Sequence, residues 1–294
     1  MRRLVLACFA FLFAFAAHAE TSSPACQPNA KWAEPAPPLK VFGNTYFVGT
    51  CGISAILVTS KDGAVLIDAG VEEAAPLVEA NIRALGVKLE DVRYLLNSHE
   101  HNDHVGGLAK IASDTHATVE AREPGASALE RGRGGADDPQ FKLGLTFAPI
   151  ASVHRIANGD HVKLGTVDIT AHATPAHTPG STSWTWTSCE GDRCLNMVYA
   201  DSLTPLSDDD YRFSDDAAHP GVLDAYRRSI AAIAALPCDI LLTPHPDASD
   251  LWHRLGPDAS APLVNANACE RYAATATKNL DARIAREHEG KPKP

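Results

Sequence analysis

Apolar and polar positions follow two rhythms along this chain, one of period two and one of period 3.6. Thr45-Tyr46-Phe47-Val48 and Ser54-Ala55-Ile56-Leu57-Val58 are strand-type runs, split by Gly49 and Gly52. Ala64-Val65-Leu66-Ile67-Asp68 reads as a buried strand that ends in a carboxylate, with Gly70 turning the chain. Residues 72–85 then place Leu77, Val78, Ile82 and Leu85 at helical spacing, and Gly86 is a stop signal. A further strand over 93–97 leads directly into a run of histidines. The later half shows the same two rhythms. Residues 166–173 alternate apolar and polar, 183–187 alternate strictly, and 196–200 and 239–243 are short apolar strands. Residues 222–236 predict a helix with Tyr226, Ile230, Ile233 and Ala234 on one face, and 268–288 a charged terminal helix. No repeat of 20–50 residues is present, and no linker divides the strand groups. The expectation is a single α/β domain with two facing halves over residues 41–288.

The ends read differently. Arg2-Arg3, the apolar run from Leu4 to Ala17 and the small-x-small pattern Ala17-His18-Ala19 form a secretory signal over residues 1–19, cleaved after Ala19. That run is too short to serve comfortably as a membrane span, so no stable anchor is expected. Residues 20–40 are rich in Pro, Ala and Ser and read as an extended arm, and 289–294 as a disordered tail. The chain is therefore expected in the periplasm. Its 45% apolar and 21% charged residues are ordinary for a globular protein with a substantial core. The net charge of −10, with no Lys/Arg cluster, argues against nucleic acid as a partner. Nothing predicts an interface between copies, so a monomer is expected.

Seven cysteines less Cys8 of the signal leave six, an even number that suits disulfides in an oxidising compartment. Cys189 and Cys194 bracket the turn-like Glu-Gly-Asp-Arg and pair locally. Cys238, before an apolar strand, is paired with Cys269 in the last helix, and Cys26 with Cys51 remains by elimination. Zinc binding by these thiols is disfavoured because no C-x-x-C occurs.

The chemistry concentrates in His99-Glu100-His101-Asn102-Asp103-His104, followed by Val105-Gly106-Gly107. Imidazole nitrogen and carboxylate oxygen are the usual zinc ligands. An extended backbone at 99–101 points His99 and His101 to one side. A turn at 102–103 then aims Asp103 and His104 at a neighbouring point, which suits two adjacent ions better than one. Other strand ends offer partners. His177 lies in Thr174-Pro175-Ala176-His177-Thr178-Pro179-Gly180 and His245 in Leu242-Thr243-Pro244-His245-Pro246, both in turns stiffened by proline. Asp201 and Ser202 follow the strand 196–200. The remaining histidines lack this setting, His172 being the least secure of them because it is close to His177.

With these downstream histidines, the H-x-H-x-D-H run resembles the metallo-β-lactamase superfamily, and within it class B metallo-β-lactamases of subclass B3. The resemblance extends from Trp32 to the terminal helix. It is carried by Cys51-Gly52-Ile53-Ser54, Ser98 to His104, His177-Thr178-Pro179-Gly180-Ser181-Thr182-Ser183-Trp184, Tyr199-Ala200-Asp201-Ser202-Leu203 and Thr243-Pro244-His245-Pro246. The three cysteine pairs look like those of AIM-type enzymes in that subclass. Ala176, where glycine is common, and Thr204, where serine is common, depart from the pattern without removing a ligand.

The resemblance implies an αββα sandwich with two Zn²⁺ per chain. His99, His101 and His177 would hold the first ion, and Asp103, His104 and His245 the second. Asp201-Ser202-Leu203 has no sulfur where another subclass uses a cysteine thiolate, which fits B3. Ser202 and Thr204 would bind the substrate carboxylate. The implied activity is hydrolysis of the cyclic amide of small-molecule β-lactams (carbapenems, cephalosporins, penicillins), hence antibiotic resistance. A zinc-held hydroxide would attack the carbonyl, Asp103 would orient it, and no acyl-enzyme would form. Asp68 is either a support for a ligand histidine or a helix N-terminal residue, and Trp32 either a pocket wall or simple packing. The rival enzyme is a glyoxalase II- or lactonase-like hydrolase of the same superfamily, for which Asp201 would bridge the metals. The rival outside catalysis is a periplasmic zinc-binding protein.

Overall fold

The computed structural model describes residues 26–257 and 259–290. The expected signal over 1–19, the start of the arm and residues 291–294 of the tail lie outside the described residues. Seven strands form one sheet in sequence order: β1 Leu39–Phe42, β2 Thr45–Phe47, β3 Ile56–Ser60, β4 Gly63–Ile67, β5 Val92–Leu96, β6 Thr118–Arg122 and β7 His154–Ile156. The first four pair antiparallel, and β4 to β7 run parallel. Five more strands, β8 His161–Leu164, β9 Val167–Ala173, β10 Thr182–Glu190, β11 Arg193–Tyr199 and β12 Ile240–Leu242, form the second sheet in the order β12-β11-β10-β9-β8.

Period-two patterning explains why the sheets stack. On β4, Val65 and Ile67 enter the core between the sheets, while Ala64 and Leu66 face the opposite way into a second core. On β11, Met197 and Tyr199 enter the shared core and Val198 a third one. Strands apolar on both faces need cover on both. Helices α1 Ala75–Ala84, α3 Leu108–Thr115 and α4 Gly125–Arg131 cover the first sheet with Val78, Ile82, Leu108, Ile111 and Leu129. Helices α5 Val222–Ala234 and α6 Ala268–His288 cover the second with Tyr226, Ile233, Ala276 and Leu280. Between α1 and α3 lies the four-residue helix α2, Asn102–Val105. The result is the expected αββα sandwich of two facing halves.

Some expectations are corrected at the margins. The run expected as an arm to residue 40 already enters the sheet at Leu39. The turn expected at 102–103 is the start of α2, entered from an extended His101. Glu289 and Gly290 close the end of α6 rather than belonging to a tail, because Gly290 N–H still bonds back to the Glu287 carbonyl. All three expected cysteine pairs are formed: Cys26–Cys51, Cys189–Cys194 and Cys238–Cys269. Among the described residues, no helix is long and apolar enough to cross a membrane.

Candidate metal centre

The ends of three strands from the two sheets meet at one edge of the sandwich. β5 ends at Leu96 and delivers residues 97–104; β9 ends at Ala173 and delivers the His177 turn; β12 ends at Leu242 and delivers His245. Backbone bonds lock these segments together. Thr182 N–H donates to the Ser98 carbonyl at 2.7 Å, and the Trp184 indole to the Asn97 carbonyl at 3.0 Å. On the other side, Ser54 donates from its N–H to the Pro244 carbonyl and from its hydroxyl to the Thr243 carbonyl.

His99, His101 and His177 form one set. Their ring centroids lie 4.8–4.9 Å apart, with planes 77–88° to one another, so the three rings surround a common point. Each ring is anchored at one nitrogen. His99 Nδ1 is 2.8 Å from Asp201 Oδ1, and His177 Nδ1 donates to the Thr204 carbonyl at 2.8 Å. His101 Nε2 lies 3.1 Å from Asp138 Oδ2. Nothing among the described residues hydrogen-bonds His99 Nε2, although it is fully buried. Burial disfavours the imidazolium form: it lowers the pKa of His99 and, with His101 adding to the effect, pushes His177 down to about 3. Neutral rings with a free lone pair are metal ligands.

The second set is tighter. Asp103 Oδ2 lies 3.1 Å from His104 Nε2 and 3.4 Å from His245 Nε2, and the two nitrogens are 3.3 Å apart. A tetrahedral zinc ion with ligands at about 2.0–2.1 Å holds neighbouring ligand atoms about 3.3–3.4 Å apart. These three atoms are already at that spacing. Burial alone would raise the Asp103 carboxyl, but the imidazoles of His104 and His245 outweigh it and hold the group well below the usual carboxylate range. The sets are contiguous, since ligand atoms of His99, Asp103 and His104 also lie within 4.8 Å of one another. Donor types, spacing and the orphaned His99 Nε2 all fit a zinc centre.

The surroundings bear on several open readings. Asp68 faces His104, with Oδ2 3.8 Å from His104 Nδ1, beyond hydrogen-bond distance, and is itself held by Ser98 and the Tyr199 hydroxyl. It caps no helix. Trp32 is half exposed, and its ring lies 6.3 Å from His245, beside the centre. Ser202 is buried and Thr204 exposed, on a segment fixed by Tyr272, whose hydroxyl donates to the Asp201 carbonyl and accepts from Leu203 N–H. Asp201 is turned to the Nδ1 edge of His99, away from its free Nε2, and burial raises its pKa well above the ordinary value. It belongs to neither group of ligand atoms, and its Oδ2 is buried without a hydrogen-bond partner among the described residues. His172 stays outside the centre, bonded to Thr185 on the second sheet. Three residues were not singled out from sequence. Glu100 accepts from Thr178 Oγ1 at 2.6 Å and Gly180 N–H at 3.0 Å, Gln140 lies beside His177, and Asp138 lies beside His101.

Residues 48–245, more than half of the chain, match the Metallo-beta-lactamase superfamily profile, and the chain belongs to that family. Among solved structures, it is 48% identical to metallo-β-lactamase MIM-1 from Novosphingobium pentaromativorans, covering 90% of this chain and 97% of that one with a TM-score of 0.86. It is 42% identical to MEM-A1, a subclass B3 metallo-β-lactamase from a soil metagenome library, covering 89% of this chain and 100% of that one with a TM-score of 0.84. A shorter match, 32% identity over 130 residues, links 44% of the chain to a hydroxyacylglutathione hydrolase of Anaeromyxobacter dehalogenans (strain 2CP-C). The match spans 40% of that curated relative's length.

Proposed function

We propose that this protein is an exported zinc-dependent β-lactamase that opens the β-lactam amide of penicillins, cephalosporins and carbapenems. The observation that carries the reading is the pair of contiguous ligand sets, neither of which includes Asp201. Asp201, the residue a glyoxalase-like site would need there, is committed to His99 Nδ1. The near-full-length likeness to enzymes named metallo-β-lactamases supports the same reading.

His99, His101 and His177 would hold one zinc ion, and Asp103, His104 and His245 the other. When bound, zinc supplies Lewis acidity, polarising a carbonyl oxygen and bringing the pKa of water close to 7. Asp103 stays ionised in its imidazole surroundings, so it can hold an ion and accept a proton-bearing group at the same time. Ser202 and Thr204 offer hydroxyls to the carboxylate that β-lactams carry. The buried strand-end turns keep these groups from relaxing towards one another, which preorganises the site. No side-chain nucleophile takes part, so no acyl-enzyme forms. The signal pattern over residues 1–19 and the three disulfides support export to the periplasm.

The test is nitrocefin hydrolysis by the purified protein. EDTA should abolish it and added zinc restore it, while the serine-directed inhibitor clavulanate should have no effect. Inhibition by clavulanate, or activity that survives EDTA, would contradict the proposal. The hydroxyacylglutathione hydrolase match favours thioesters as the second substrate class to assay.

A further inference from the structure

We infer that Asp138 is a positioning residue for His101, and that the turn over residues 134–140 is built to hold its carboxylate against that ring. The inference rests on reading His101 as a metal ligand. Asp138 belongs to no strand or helix and lies 37 residues along the chain from His101. Even so, it is buried, and both of its oxygens lie 3.1–3.2 Å from His101 Nε2.

The turn fixes this carboxylate from several directions. Asp138 N–H donates to the Gly135 carbonyl, Phe141 N–H donates to the Asp138 carbonyl, and Gln140 N–H donates to Asp138 Oδ1 at 2.8 Å. The Pro139 carbonyl accepts Asp208 N–H, and Asp208 in turn accepts Lys142 N–H, which ties the turn to the segment beyond Thr204. A Cβ on Gly134 would sit 2.4 Å from Asp138 Oδ2, so any side chain there would displace the carboxylate.

The chemistry follows from counting protons. A carboxylate only accepts, so His101 must present its N–H at Nε2. A neutral imidazole has one N–H, which leaves Nδ1 as its lone pair. His99 and His177 are anchored the other way round, at Nδ1. His101 sits two residues from His99 and needs an anchor on the opposite ring edge. The distant turn provides it.

The test combines ¹⁵N NMR of the histidine rings in zinc-free protein with zinc affinity measured by chelator competition. In wild type, His101 should carry its proton on Nε2. In Asp138→Asn, Gln140 N–H keeps the amide oxygen and the amide N–H₂ faces Nε2, so the proton should move to Nδ1. Zinc affinity should then fall about 10–100-fold, with the His99 and His177 tautomers unchanged. Gly134→Ala keeps Asp138 but displaces its carboxylate, and should move both readouts in the same direction. A wild-type His101 proton on Nδ1 overturns the inference whatever the variants do. So does an Asp138→Asn protein with the wild-type tautomer and zinc affinity. Wild type that takes up no zinc overturns the metal-centre reading and this inference with it, whereas the other two results leave the metal centre standing.

Discussion

Glu100 sits between two ligand histidines but points away from them, and its removal tests whether the ligand loops are held from behind. Its buried carboxylate accepts Thr178 Oγ1 at 2.6 Å and Gly180 N–H at 3.0 Å, on either side of Pro179 and just beyond His177. Gly180 packs so close that a Cβ there would lie 2.4 Å from Glu100 Oε2. Each hydrogen bond to a charged group is worth about 1.5–3 kcal/mol. Two offsets reduce the sum. Burial raises the pKa of Glu100, so part of that energy only compensates for desolvation. Thr178 Oγ1 also keeps Ser181 Oγ at 3.2 Å as a second partner. Glu100→Ala should therefore cost about 2–3 kcal/mol, mainly through the orphaned Gly180 N–H and the cavity left behind. Urea unfolding of zinc-free protein measures the loss. Chelator competition should show weaker zinc binding, because the His177 turn loses its brace. Glu100→Gln, which keeps an acceptor for Gly180, should retain most of both. A loss below about 0.5 kcal/mol with wild-type zinc affinity would show that Glu100 does not brace the His177 turn.

Asp103→Ala removes the anionic ligand of the second set and leaves His104 and His245 alone. Hydrolysis should fall at least about 100-fold, equivalent to about 2.7 kcal/mol of barrier, and bound zinc should fall by about one equivalent. Near-normal turnover in zinc-replete buffer would rule out that role. His99 and His177 should add little to the pH dependence of zinc affinity. Their lowered pKa values, about 3 for His177, keep both rings unprotonated well below 6.5. Ligands of ordinary imidazole pKa would each cost about tenfold in affinity per pH unit below 6.5. Affinity should instead change little from these two residues between pH 7 and 5. Ring ¹⁵N shifts of His99 or His177 that titrate between pH 7 and 5 in the zinc-free protein would contradict this.

An α/β domain of two facing halves is legible in the pattern because its strands are short apolar or alternating runs and its longer helices carry a clear stripe, as on 222–236, whereas the αββα sandwich is what the family resemblance implies. The middle of the first half was harder. In α3 the apolar stripe reduces to Leu108 and Ile111, and β6 carries the polar Glu120 within a short run, so neither periodicity stands out. The six ligand-grade residues were visible because histidines at proline-stiffened strand ends are chemically conspicuous. Their supports were not. Asp138 lies in Gly134-Gly135-Ala136-Asp137-Asp138, a stretch with the composition of a solvated loop, and only chain closure over His101 gives it a partner. Asp201 was visible as a carboxylate at a strand end, but which edge of His99 it meets depends on how β10 and β11 place it. Glu100 was hidden by its own motif, since a residue between two ligands points to the opposite side, where sequence gives no partner.

Hydrolysis rates for a panel of carbapenems, cephalosporins and penicillins, set beside a glutathione thioester and a lactone with zinc quantified in the same sample, decide whether this is a two-zinc β-lactamase. About two zinc equivalents per chain are expected, with β-lactam turnover well above that of thioester or lactone. Thioester or lactone turnover exceeding that of every β-lactam would contradict that reading, as would tight zinc binding with no hydrolysis at all.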